Sequence, residues 1–178
     1  MTGAAVFRLV PELDAGDVYD VIEREIGADE TAGELLESLA VDGADLVERV
    51  VDGIEAGTAV AQRQVGEPTM APKLTIDDAK LDLARDASSV YARVRGVTPE
   101  PGAFFVVGEN WVKVLEASRS DAAAMAPGAL ALNGAHALVG TATAPLELVT
   151  VQPAGKRPMP GADWLRGLPA GSHAEVAS

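Results

Sequence analysis

The segment PLELVTVQPAGKRPMPGADWLRG, residues 145–167, joins a strand, a basic loop and a short helical turn. Apolar residues recur through Leu146–Gln152 in the pattern of a strand with one buried face. Pro153–Gly155 ends that strand, and the loop that follows carries Lys156 and Arg157, the only adjacent basic pair in the chain. A stiff, positively charged loop at the end of a strand can bind an anion. A solvated surface turn is the alternative interpretation.

Short apolar runs of the same kind precede this strand. In this half of the chain the sequence predicts five strands: Ala103–Val107, Trp111–Ala117, Gly128–Leu132, His136–Thr141 and Leu146–Gln152. A Gly-Glu-Asn turn at residues 108–110 predicts a hairpin between the first two, and a helix over Ala87–Arg95 comes before them. This spacing is typical of a small barrel of the oligonucleotide-binding type. Such barrels often bind nucleic acid, although a fold alone does not establish a function.

The first 60 residues predict a different, smaller unit. Strands are expected over Thr2–Val10 and Asp17–Ile26. Thr31 and Glu34 have the spacing of a capping box, which opens one helix or, if Gly43 divides it, two. Two strands with helices on one face bury little apolar surface. We therefore expect this unit to pack on the second half, on another chain, or within a larger domain.

The composition excludes several kinds of site. The chain has no cysteine, which removes disulfides and thiolate chemistry, and its two isolated histidines argue against a histidine metal site. His136 is expected on a strand and His173 in a C-terminal tail. The N-terminus has no signal-peptide pattern and no apolar stretch is long enough to cross a membrane, so we expect a cytoplasmic protein without a membrane partner or a metal.

The charge is unevenly distributed. Residues 1–90 carry 7 basic and 20 acidic residues, whereas residues 91–178 carry 7 of each. The first half therefore repels nucleic acid, and DNA is not an expected partner, but the second half could bind a specific structured RNA locally. Its candidate contacts are the clustered cations Arg93, Arg95, Lys113, Lys156 and Arg157.

Familiar catalytic motifs are absent from the sequence. It contains no GxxxxGK[ST], GxGxxG, HExxH or GxSxG pattern. Asp14 stands out among the many carboxylates because it lies in a glycine-bearing loop between two predicted strands, where active-site residues often collect. The alternative is an ordinary solvated loop residue.

Five segments, in order and with matching spacing, resemble one known family. They are TGAAVFRLVPELDAGDVY, GADETAGELLESLAVDGADLV, APKLTIDDAKLDL, RGVTPEPGAF and LVTVQPAGKRPMPGADWLRG. From Thr2 to about Gly167 the chain is similar to the C-terminal portion of methionyl-tRNA formyltransferase. The resemblance implies an α+β chain: a remnant of the Rossmann-like α/β formyltransferase domain over residues 1–60, a linker over 61–80, and an OB-like β-barrel over 81–178.

The resemblance also implies an activity. The family transfers a formyl group from 10-formyltetrahydrofolate to the methionine amino group of initiator methionyl-tRNA. In the family an Asn–His pair stabilises the oxyanion, and the Asp of an LDxGD loop, Asp14 here, orients the histidine and a water. The barrel grips the tRNA through the QPAGK[KR] motif, here Lys156 and Arg157, and the AxKL linker motif supplies Lys73. No metal is implied.

Departures from the family limit this expectation. The family's Asn, His and SLLPxxRG segment precede the residue equivalent to Thr2, so we expect no formyl transfer by this chain alone. A second chain carrying that half is then a candidate partner. Lys80 and Leu83 stand where the family's ARIDW pattern has Arg and Trp. Three interpretations stay open: part of a formyltransferase, a non-catalytic tRNA-binding module, or an inactive remnant.

Overall fold

A computed structural model describes residues 1–176 of the chain. The chain divides into two compact units, Met1–Pro72 and a second that begins at Lys73. Parts of the predicted linker over 61–80 are ordered within these units, since Gln62 pairs with Val18 in the first and Ala79 is fully buried in the second. No helix in the described part of the chain has both the length and the apolar character to span a bilayer.

The first unit is a β-hairpin with one long helix. Strand β1 (Thr2–Phe7) pairs antiparallel with β2 (Val18–Arg24), and helix α1 spans Ala32–Glu55 without a break at Gly43. The predicted capping box is confirmed: the Thr31 hydroxyl accepts from the Glu34 amide, and the Glu34 carboxylate accepts from the Thr31 amide at 2.8 Å. These two bonds satisfy N–H groups that the first helical turn leaves without partners.

The core of the first unit is small, as the sequence predicts. Leu46 and Val50 are its buried apolar side chains, whereas Leu36, Val51 and Ile54 on the same helix are each more than half exposed. Most of the helix surface thus remains in water, and the hairpin covers only one side of α1.

The second unit is built on a six-stranded antiparallel sheet. Its strands are β3 (Phe104–Val107), β4 (Asn110–Arg119), β5 (Leu130–Asn133), β6 (His136–Val139), β7 (Leu146–Pro153) and β8 (Met159–Pro160). The order is β3-β4-β7-β6-β5, and β8 pairs with β7. All five strands expected from the sequence are present. The two-residue β8 was not predicted, because a strand of one Met and one Pro has no readable alternation.

Three helices pack with this sheet: α2 (Ile76–Ala79), α3 (Ala87–Gly96) and α4 (Gly161–Arg166). The predicted apolar face of α3 is buried through Val90, Tyr91 and Val94. In the core, the ring of Phe105 meets that of Trp164 edge-on at 5.9 Å between centroids. The mixed fold class predicted from the sequence is confirmed, while the oligonucleotide-binding topology stays a prediction.

The C-terminal segment lies in the sheet rather than forming the free tail expected around His173. The Ala174 amide donates to the Gly128 carbonyl at 2.9 Å, just before β5, and the Glu175 amide donates to the Val106 carbonyl on β3 at 2.8 Å. One short segment therefore joins both edges of the sheet. At Gly128, with φ +77°, an added Cβ would lie 2.4 Å from the Ala174 carbonyl oxygen, so only glycine allows this approach.

Candidate functional site

Asp14 lies in the surface loop between β1 and β2. Its backbone has φ 51°, a left-handed conformation that Asp tolerates better than most residues, and its side chain is exposed. Close by, the Arg8 amide donates to the Asp17 carbonyl at 2.8 Å. A Cβ on Gly16 would lie only 1.7 Å from the Arg8 carbonyl oxygen, so the backbones of Gly16 and Arg8 pack directly against each other where the loop closes.

Gln64 holds this loop from a distant part of the sequence. Its side-chain amide nitrogen donates to the carbonyls of Asp14 and Gly16, both at 2.7 Å. Two backbone hydrogen bonds of 2.8 Å between Gln62 and Val18 bring Gln64 into place. Sequence analysis missed Gln64, because it stands about 50 residues away in a segment without periodicity.

The Asp14 carboxylate has no partner for chemistry within this loop. Every residue from Arg8 to Ala15 is exposed, and no group within residues 1–176 hydrogen-bonds to the Asp14 carboxylate. The first unit contains neither histidine nor asparagine. A site for a folate-sized ligand is normally concave and buries most of it, so this loop alone does not form one. Residues 1–176 contain no cluster of three or more metal-ligating side chains.

The basic loop after β7 is held by its own backbone. The Ala154 amide donates to the Trp111 carbonyl at 2.9 Å, and the Lys156 amide donates to the Pro153 carbonyl at 3.0 Å. The Gln152 side chain donates to the Lys156 carbonyl at 3.0 Å. Strand β8 then returns to pair with β7. The side chains of Lys156 and Arg157 are exposed, and neither forms an ion pair within the described residues.

The strand register places further cations beside this loop. Lys113 on β4 stands opposite Gln152 on one side and Phe104 on the other, and Phe104 pairs in turn with Lys80. Paired residues project to the same face of a sheet, and neighbouring strands lie about 4.8 Å apart. Lys80 and Lys113 are therefore about 10 Å apart on one face, with the basic loop at the next strand. We call this set, Lys80, Lys113, Lys156 and Arg157, the cationic row.

A cavity of about 220 Å³ adjoins the Lys80 end of the row. Its charged lining includes Lys80, Arg85 and Arg93, with Asp82 as the one acid. The Arg93 guanidinium also donates a hydrogen bond to the Asp78 carbonyl at 3.0 Å, which restrains the Arg93 side chain. The structure thus brings the predicted Arg93 together with Lys80 and Arg85, which the sequence did not single out as cationic contacts.

The remaining two predicted cations lie elsewhere. Arg95 is half-buried, with its guanidinium carbon 5.3 Å from the centroid of the Tyr91 ring, and Arg119 lies 5.0 Å from the same centroid. Lys73 is exposed at the first residue of the second unit. The roles assigned to Asp14 and to the six cations from the resemblance stay predictions.

Comparison with known proteins identifies the class to which this sheet and its basic loop belong. The family described as "Formyl transferase, C-terminal domain" matches residues 73–169, more than half of the chain. The chain therefore belongs to this family.

The similarity to curated proteins extends across both units. The chain is 57% identical over 166 residues to the methionyl-tRNA formyltransferase of Leifsonia xyli subsp. xyli, covering 93% of this chain and 55% of that protein. It is 55% identical over 169 residues to the methionyl-tRNA formyltransferase of Clavibacter michiganensis subsp. michiganensis, covering 94% and 55%. The resemblance read from the sequence motifs is confirmed. The chain spans about half the length of these relatives.

Solved structures agree on the fold. The crystal structure of HypX from Aquifex aeolicus in complex with tetrahydrofolic acid superposes with a TM-score of 0.73 at 20% identity, covering 92% of this chain and 29% of that one. At this level of identity the likeness concerns the fold alone.

Proposed function

We propose that this chain serves formyl transfer from 10-formyltetrahydrofolate to initiator methionyl-tRNA, and that its own part is to bind the tRNA through the cationic row. The observation that carries this proposal is the exposed Lys156–Arg157 pair, held on a backbone-anchored loop beside Lys113. Relatives that share more than half of its residues over nearly the whole chain are methionyl-tRNA formyltransferases.

The charge distribution favours the second unit as the RNA-binding part. The first unit carries 4 basic and 16 acidic residues, and the second carries 10 and 11. A polyanion is therefore repelled by the first unit and meets a nearly neutral second unit. The cationic row contains four of the ten cations of that unit, and one of the four, Lys80, is paired with Glu175 at 3.7 Å. Binding of this kind depends on specific local contacts, because the overall charge of −13 opposes it.

Catalysis by the chain alone is not expected. The resemblance gives Asp14 the place of the family's orienting carboxylate, but the 178 residues contain no Asn-x-His segment that it could orient. One missing oxyanion donor commonly costs about 100- to 1,000-fold in rate. Purified chain incubated with methionyl-tRNA and 10-formyltetrahydrofolate should therefore give no formylmethionyl-tRNA above the background without protein. Product formed by material free of host enzyme would contradict this part of the proposal.

The binding claim has a test with a matched control. Lys156→Glu and Arg63→Glu each change the net charge from −13 to −15, since each reverses one positive charge. Lys156 lies in the basic loop, whereas Arg63 is exposed in the first unit. Fluorescence anisotropy with labelled initiator tRNA should show weaker binding for Lys156→Glu than for Arg63→Glu. Equal losses of tRNA affinity in the two variants would mean that net charge alone explains the weaker binding, and would contradict a local binding site.

The well-packed core of the second unit favours one further candidate, a stand-alone tRNA-binding module without catalysis. The N-terminal half of the Leifsonia xyli relative distinguishes the two candidates when it is added to the purified chain. Restored formylation supports a role in the transferase. Unchanged tRNA binding without any formylation supports the module.

A further inference from the structure

Trp111 presents an open aromatic face beside the basic loop. It is 47% exposed, whereas the other tryptophan, Trp164, is 7% exposed in the core. One face of the Trp111 ring lies on Phe104, with centroids 4.3 Å apart and the ring planes within 5° of parallel. Phe104 is itself buried, so it supports one face of the indole, and the opposite face is left to solvent.

Cationic residues lie close to Trp111 in the sheet and in the basic loop. Trp111 and Lys113 are two residues apart on β4, so they project to the same face of the sheet. The carbonyl of Trp111 accepts the hydrogen bond from Ala154 that starts the basic loop, so the loop that carries Lys156 and Arg157 begins at the backbone of Trp111. The exposed indole thus shares its face of the sheet with Lys113 and lies on the strand against which the basic loop begins.

We propose that Trp111 is a stacking platform for an unpaired base of the RNA bound at the cationic row. Proteins that hold unpaired nucleotides combine cations along the backbone with aromatic rings under the bases. Here stacking on Phe104 already orders the indole in the protein without RNA, which lowers the entropy lost when a base stacks on the indole. The inference rests on the proposed tRNA binding and adds to it an aromatic contact that does not depend on charge.

This contact predicts a distinctive salt dependence. Trp111→Leu keeps an apolar side chain over Phe104 but removes the aromatic face, and stacking of one base accounts for roughly 5- to 150-fold in affinity. Because no ion is released by stacking, the plot of log K against log salt should move down without a change of slope. Trp111→Phe should recover part of the lost affinity.

Fluorescence supplies a second readout that a purely structural role would not change. Titration with an oligouridylate of eight nucleotides should quench the wild-type emission and reach saturation, because a base stacks on the exposed indole. Trp111→Phe, in which Trp164 is the remaining emitter, should show no such quenching. Heparin, a polyanion without bases, should compete for the cations but leave the wild-type emission unquenched.

The outcomes of these experiments distinguish the stacking inference from the proposed tRNA binding on which it rests. Failure of the wild-type chain to bind tRNA overturns the proposed function and the inference together. If wild type binds, Lys156→Glu weakens binding, and Trp111→Leu binds like wild type without quenching by the oligouridylate, the stacking inference alone is wrong. A third outcome is that Trp111→Leu and Trp111→Phe weaken RNA binding equally and lower the thermal stability, while the wild-type fluorescence is not quenched. That result would identify Trp111 as a structural cover for Phe104 and would also overturn the stacking inference.

Discussion

The Asp14 loop depends on one side chain that reaches it from residue 64. Gln64→Ala removes both 2.7 Å hydrogen bonds to the carbonyls of Asp14 and Gly16. A hydrogen bond of this kind contributes about 0.5–1.5 kcal/mol net, and Gln64 is exposed, so we expect about 1–2 kcal/mol for the pair. The loop should therefore open about 5- to 30-fold more often.

Native-state hydrogen exchange measures this opening directly. The Arg8 amide is the reporter, because it donates to the Asp17 carbonyl at the end of the same loop. In Gln64→Ala its exchange should accelerate by about 5- to 30-fold, whereas amides in the middle of α1 should keep their wild-type rates.

The chain supplies a matched control two residues away. Gln62 is also exposed, and its hydrogen bonds to Val18 use the backbone alone, so Gln62→Ala should change the Arg8 exchange rate by less than about twofold. Equal acceleration in the two variants, or none in Gln64→Ala, would refute the claim that the Gln64 side chain holds the loop.

Three other variants test the structure at single positions. Gly16→Ala, whose Cβ would lie 1.7 Å from the Arg8 carbonyl oxygen, should lower the free energy of unfolding of the first unit by about 1–3 kcal/mol in urea denaturation, and a neutral effect would contradict the close approach. Leu83→Ala, at a fully buried position, should cost the second unit about 2–5 kcal/mol by the same measurement, whereas a loss below 1 kcal/mol would place Leu83 outside the core. The hydrogen bond from the Ser89 hydroxyl and that from the Ser89 amide lower the pKa of Asp86 at the start of α3. The ionised Asp86 therefore stabilises the fold above the ordinary carboxylate pKa, and this stabilisation is lost as the pH falls through the lowered pKa of Asp86. Asp86→Asn should flatten the acid side of the curve of stability against pH. Superimposable curves for wild type and variant would contradict this.

Sequence patterns were sufficient where the contacts are local. Alternation located five strands, the Thr31–Glu34 spacing located the start of α1, and the apolar spacing of α3 identified its buried face. Each of these signals depends on residues within a few positions of one another, where period and capping are readable.

Long-range contacts escaped the same reasoning. Gln64 reaches Asp14 across 50 residues, and Ala174 and Glu175 join the two edges of the sheet from a segment that resembles a tail. Nothing in the local sequence of either segment specifies its partner, because a single hydrogen-bonded amide or two isolated bridge residues leave no periodic signature.

The candidate binding surface was predictable in part. Lys156 and Arg157 were recognisable as a pair, and Lys113 as a basic strand residue, but the register of β4 with β7 is what brings Lys113 to the strand end from which the basic loop starts. Lys80 joins them only through its pairing with Phe104, and the exposed face of Trp111 depends on the ring beneath it. A one-dimensional pattern contains charge and spacing, whereas the assembly of a surface requires the strand order.

The salt dependence of binding to initiator methionyl-tRNA tests the central claim most directly. For wild type and the Lys156→Glu/Arg157→Glu variant, association constants would be measured from about 50 to 200 mM salt. If both side chains contact phosphates, the slope of log K against log salt should be smaller in the variant by about 2, with weaker binding at every salt concentration. Superimposable lines for the two proteins would contradict the assignment of the basic loop as the tRNA-binding element.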